Sequence, residues 1–151
     1  MRKIINVTEE YINASNSGKG RIIYGSGYNQ ESHSEEINIA MWIVNQFGGD
    51  ITLVAENAGV FGVKSADFEW NNTLWELKTL KSEKSIDSAL RKAIGQIYDK
   101  PGGVILDFGK NQINMSRVKS AIKSRVDTSC RFKMDIIIIT SGQLAKVLRC
   151  E

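Results

Sequence analysis

Residues 65–79 alternate between apolar and polar positions on either side of Asn71 and Asn72, two residues suited to the positive φ of a tight turn. The pattern predicts a β-hairpin. With the asparagines at its tip, Trp70 faces Thr73, Phe68 faces Trp75, and Asp67 faces Glu76. Because side chains alternate across a strand, Ala66, Phe68, Trp70, Trp75 and Leu77 then form one apolar face. Asp67, Glu76 and Lys78 share the other. Two carboxylates opposite one another across a ladder repel. The register therefore predicts a cation between them, and a divalent metal held by paired oxygens meets that need.

Helical periodicity flanks the hairpin. Ser34 is a capping residue followed by Glu35 and Glu36, and Ile37, Ala40, Met41, Val44 and Phe47 recur at helical spacing until Gly48 and Gly49 end the run. Residues 51–55 read as a strand and residues 56–62 as a loop into the hairpin. Beyond it, residues 81–85 are polar and read as a mobile link. Ser85 caps a second helix with Ile86, Leu90, Ala93, Ile94 and Ile97 on one face, stopped by Pro101, Gly102 and Gly103.

Residues 103–108 form a strand, and residues 115–126 a basic amphipathic helix with Met115, Val118, Ala121 and Ile122 inward. The β-branched run at 134–139 suits a strand covered on both faces, and residues 144–148 add an edge strand. The first 30 residues signal less: a helical turn at 8–12, a short strand at 21–24, and loops at 17–20 and 25–28. Their glycines do not follow a strand and open a helix with phosphate-loop spacing, which argues against a nucleotide cradle. Strands alternating with helices predict an α/β fold, a mixed sheet with parallel pairs. We read one domain over residues 1–151, with 1–32 an extension and 33–140 the core.

Composition narrows the class. With 42% hydrophobic and 25% charged residues among 151, the chain is a soluble globular type that can bury a core without disulfides. No apolar stretch reaches the roughly 18 residues of a membrane span. Glu9 and Glu10 arrive before a signal-peptide core develops, so export would depend on sequence outside these residues. Cys130, Cys150 and the single histidine, His33, lack zinc-ligand spacing, so a catalytic metal would be held by oxygen, as Mg and Mn are. Net charge is +3, but Lys110, Arg117, Lys119, Lys123, Arg125, Arg131 and Lys133 meet only Asp127 between residues 110 and 133. That cluster serves equally as a solvated helix face or as a partner for nucleic-acid phosphates.

Asp67 on one strand and Glu76-x-Lys78 on the next, after a helix opened by Glu35 and Glu36 and before a helix and a strand, resemble the PD-(D/E)XK nuclease superfamily over residues 33–140. More narrowly, residues 64–68, the Leu74 to Thr79 stretch, the helix bearing Arg91 and Gln96, residues 104–107 and the isoleucine-rich strand look like the C-terminal tRNase domains of contact-dependent growth inhibition toxins. Ala66 stands where the superfamily usually has proline, but the neighbouring carboxylate carries the chemistry. The resemblance implies an αβββαβ, restriction-endonuclease-like core in a mixed sheet flanked by helices. It also implies a toxin-type endonuclease that cleaves tRNA in the cytoplasm of a target bacterium, reaches it within a secreted or surface toxin, and is neutralised by a cognate immunity protein.

Roles follow from that resemblance. Asp67 and Glu76 are the expected ligands of Mg or Mn, with the carbonyl of Leu77 beside the ion. Lys78 orients or deprotonates the attacking water, or stabilises the developing negative charge. Glu36, four residues before Ala40 at the edge of the apolar face, is preferred to Glu35 for completing the metal shell or positioning water; a purely helix-dipole role is as consistent with its place. Thr79, Arg91 and Gln96 are the substrate-binding candidates, and His33 is read as a structural or solvated loop residue. If the substrate is RNA, its 2′-hydroxyl offers a second nucleophile that needs no metal, and the sequence leaves both routes open. A metal-dependent DNA endonuclease of this fold and a non-catalytic nucleic-acid-binding module are the alternatives.

Overall fold

Asn71 and Asn72 both adopt positive φ, 51° and 63°, and the twist of such a turn matches that of the strands it joins. In this computed structural model, which describes residues 2–55 and 66–151, they link β4 (Phe68–Trp70) to β5 (Thr73–Thr79). Phe68 pairs with Trp75 and Trp70 with Thr73, the register that the alternation predicts. The predicted loop at 56–62, and residue 65 of the predicted first strand, lie outside the described residues.

The hairpin belongs to one eight-stranded mixed sheet, ordered β1-β8-β7-β6-β5-β4-β3-β2. The remaining strands are β1 (Ile4–Asn6), β2 (Ile22–Tyr24), β3 (Ile51–Leu53), β6 (Pro101–Asp107), β7 (Met134–Thr140) and β8 (Gln143–Cys150). Among the described residues four helices flank it: α1 (Thr8–Ala14), α2 (Ser34–Gln46), α3 (Ile86–Gln96) and α4 (Met115–Ser129). From α2 to β6 the order is helix, three strands, helix, strand, as expected. β5, β6 and β7 run parallel, and their alternate residues feed two cores. Val104, Leu106, Ile136 and Ile138 pack with α3 and α4, whereas Ile105, Ile137 and Ile139 pack with Phe68, Trp70, Trp75 and α2. Burial on both faces explains the uninterrupted isoleucines of β7.

Several expectations change. β8 is not an edge strand, because β1 pairs outside it, so residues assigned to an extension supply both outer strands. Pro101 begins β6 rather than merely ending α3; at a strand's first residue its missing N–H breaks no ladder. The link predicted to be mobile holds a 3₁₀ turn, Glu83–Ser85, capped by Ser82 accepting the Lys84 N–H at 3.3 Å. His33 rather than Ser34 is the N-cap of α2, and neither it nor Ser85 makes a side-chain capping bond. Met41 is 49% exposed while Ile43 is fully buried in its place, and Ala66 packs with the α3 and α4 core instead of the Phe68 face. Among the described residues no helix is long and apolar enough to cross a membrane.

Candidate active site

The site forms where the sheet splits. β4 has three residues and β5 seven, so beyond Phe68 no strand among the described residues bonds the edge of β5. Side chains replace the ladder there. Leu77 donates its backbone N–H to Asp67 Oδ2 at 2.8 Å, and Asp67 donates its own N–H to Glu76 Oε1 at 3.0 Å. The other Glu76 oxygen, Oε2, lies 3.1 Å from Lys78 Nζ. Asp67, Glu76 and Lys78 are thus brought together as the register predicts, with Glu76 only 1% exposed.

Burial and the charge of Asp67 push the Glu76 carboxyl up to about 8, against the pull of Lys78. An isolated ionised carboxylate in such a place is costly. The cluster offsets that cost with an ammonium group, a backbone donor and a raised affinity for a proton.

The N-terminus of α2 closes the other side. Glu36 is half-buried and Glu35 exposed, a difference that favours Glu36 as the inward acid. Tyr28, which the sequence did not single out, donates its hydroxyl to Glu36 Oε1 at 3.0 Å. His33 packs on the Tyr28 ring with centroids 5.3 Å apart, and its Nδ1 lies 3.6 Å from Glu36 Oε2. His33 is therefore part of the cleft wall, not a solvated loop residue. Burial and the nearby Asp67 charge push Glu36 up to about 7, while Tyr28 and His33 act in the opposite direction. Tyr28 itself is driven upward by burial and its bond to Glu36. Its isolation in a glycine-containing loop left no periodic signal to find it by.

His33, Glu36, Asp67, Glu76 and Lys78 line a cleft of about 330 Å³ that also includes Leu77 and Thr79, with Tyr28 behind Glu36. Arg91 and Gln96, the other substrate-binding candidates, do not line it. Arg91 lies on the flank of α3 whose charge acts on Asp87. Gln96 follows Lys92 by one turn, and its buried Oε1 has no hydrogen-bond partner among the described residues. The basic cluster is partly committed internally, with Lys123 paired to Asp127 and Arg125 to Asp87.

The donor set fits an oxygen-held ion of limited protein coordination. A strand residue's N–H and C=O leave by the same edge, so the Leu77 carbonyl opens to the gap where its N–H meets Asp67. Among the described residues no three His, Cys, Asp or Glu side chains make a metal-holding group. Mg is commonly bound by one or two carboxylates, with water and substrate phosphate completing its shell.

No family model matches the sequence, and a search of curated proteins finds no match. Among solved structures, a chain of the CdiA-CT/CdiI toxin and immunity complex from Burkholderia pseudomallei superposes with a TM-score of 0.56 at 14% identity, over 83% of this chain and 98% of that one. The two share a fold.

Proposed function

We propose that this chain is a toxin-type endonuclease of the PD-(D/E)XK kind that cleaves tRNA in the cytoplasm of a target bacterium and is held inactive by a cognate immunity protein. The observation that carries the reading is the cluster of Asp67, Glu76 and Lys78 at the split of the sheet, faced by Glu36. The similar structure is a toxin and immunity complex, and a buried glutamate beside a half-buried aspartate and a lysine in an open cleft favours the toxin role for this chain. The same cluster weighs against a purely binding role, which needs no such buried charge.

Phosphodiester cleavage requires a proton to leave the attacking oxygen and negative charge to be stabilised on the phosphoryl group. Glu36, with a proton affinity near neutrality, is suited to take that proton from water or from a 2′-hydroxyl. Lys78, held by Glu76 Oε2, directs its ammonium to the phosphoryl oxygens. The two backbone bonds across Asp67 and Glu76 fix the cluster against the strand end. Asp67, Glu76 and the Leu77 carbonyl would hold Mg or Mn, which would add positive charge at the phosphate when bound.

Expression in bacteria followed by sequencing of RNA ends tests the reading. New ends confined to tRNA are expected with wild type and absent with Glu76→Ala. No new tRNA ends would sink the tRNase assignment, and nicked plasmid in their place would favour the DNA alternative.

A further inference from the structure

Beyond Thr79 the cleft continues as a second groove, of about 390 Å³, between the end of β5 and α3. Lys78 and Thr79 line both. The groove's charged residues are all cations, Lys78, Lys81 and Lys92, joined by the hydroxyls of Thr79, Ser85 and Ser88. Ser85, Ser88 and Lys92 stand three and four residues apart, so the end of the 3₁₀ turn and one flank of α3 present them together.

Among the described residues no acid lines this groove, and the reason is structural. Glu83 Oε1 accepts the Asn114 N–H at 2.6 Å, and Asp87 takes both arms of Arg125 at 2.8 and 3.0 Å. Both carboxylates are therefore spent on α4 and its N-terminal turn. Asp107, opposite Thr79 in register, accepts the Gly109 N–H. Among the described residues no ion pair includes Lys81 or Lys92. Like charges gathered around one concavity raise its potential and attract an anion.

We propose that this groove holds a phosphate of the nucleotide flanking the scissile bond, with Lys81 and Lys92 as its charge partners and Ser88 as a hydroxyl donor. The inference rests on the nuclease reading and adds a direction to it. The acidic half of the cleft reacts, the basic half grips the strand, and Lys78 and Thr79 stand at their junction. An acidic loop of an inhibitor protein would meet the same cations, but the hydroxyls and the continuity with the reacting half favour a nucleic-acid strand. Lys81, Ser88 and Lys92 replace Arg91 and Gln96 as the substrate-binding residues of this region. All three are exposed, so their replacement leaves the core untouched.

The test measures binding of a fluorescein-labelled single-stranded RNA to the full chain carrying Glu76→Gln, with total tRNA as competitor, across a salt series. Adding Lys81→Ala and Lys92→Ala is expected to weaken binding roughly tenfold and to reduce the slope of log K against log salt by about 1.4, near 0.7 per lost contact. Lys3→Ala with Lys19→Ala removes the same charge elsewhere and is expected to change neither. In the cleaving background the groove variant should raise KM with little effect on kcat, the mark of lost uniform binding. If the groove and control variants bind alike while wild type binds and cuts RNA, the groove proposal is overturned, an acidic protein becomes its better occupant, and the nuclease reading stands. If RNA is neither bound by the Glu76→Gln chain nor cut by wild type, both fall together.

Discussion

The backbone N–H of Asp67 donates to Glu76 Oε1 at 3.0 Å, so the two acids that oppose each other across the hairpin are also tied to one another. The reverse bond, Leu77 N–H to Asp67 Oδ2, makes the tie reciprocal. Each carboxylate stands in for a ladder acceptor at the point where β4 stops. The site is therefore pinned by the same bonds that let the sheet open, and its repulsion is met first by Lys78 and by protons.

Lys78→Met should leave Glu76 as a buried charge without its cation. Removing one partner of a buried pair costs on the order of 3 kcal/mol, so the melting temperature should drop, and more steeply at high pH, where Glu76 is ionised. Cleavage should fall about 10²- to 10³-fold, the range for losing one preorganised electrostatic partner. Thermal melts at two pH values and single-turnover rates check both; an equal drop at each pH would contradict the pairing.

Glu76 predicts a pH dependence of stability. Its folded value near 8 exceeds the ordinary 4.5, so the native state holds the proton more tightly than the unfolded chain. The resulting stabilisation is complete below about pH 4.5 and is lost as pH rises through about 8. In EDTA, Glu76→Gln should therefore gain in melting temperature relative to wild type across that interval. A difference that stays flat with pH would show that Glu76 titrates normally.

Mg or Mn should raise the melting temperature of wild type, because an ion that binds only the native state stabilises it by mass action, about 2.7 kcal/mol at a hundredfold excess over Kd. Asp67→Asn should abolish the gain. Titration by differential scanning fluorimetry reads this directly, and an equal gain in both proteins would place the ion elsewhere.

Tyr28→Phe removes the hydroxyl that holds Glu36 down. The acid limb of the kcat/KM profile should move to higher pH, and a move of about one pH unit corresponds to a roughly tenfold loss on that limb. An unmoved limb would separate Tyr28 from the reacting proton.

What the sequence revealed was what local periodicity encodes. Asn71 and Asn72 fix the turn, the turn fixes the register, and the register alone brings Asp67, Glu76 and Lys78 to one face. The buried faces of α3 and α4, and of α2 apart from Met41 and Ile43, were legible for the same reason. The polar flank that borders the cleft was not. Ile86, Leu90, Ala93 and Ile97 show which side of α3 is buried, but its placement on the sheet decides that Ser88 and Lys92, not Arg91, meet the groove. Tyr28 and strand β1 were missed because each owes its place to distant partners, Glu36 and β8. The expected repulsion at Asp67 was real and Lys78 answers it from the predicted face, but the backbone bonds at Asp67 and Glu76 are tertiary facts.

Cleavage of total tRNA by wild type and Glu76→Gln, in Mg, in Mn and in EDTA, tests the central claim most directly. The account predicts discrete tRNA fragments with wild type and at least about a hundredfold slower cleavage with Glu76→Gln, while both proteins remain folded. Intact tRNA with folded wild type under every condition, or equal cleavage by the two proteins, would contradict it.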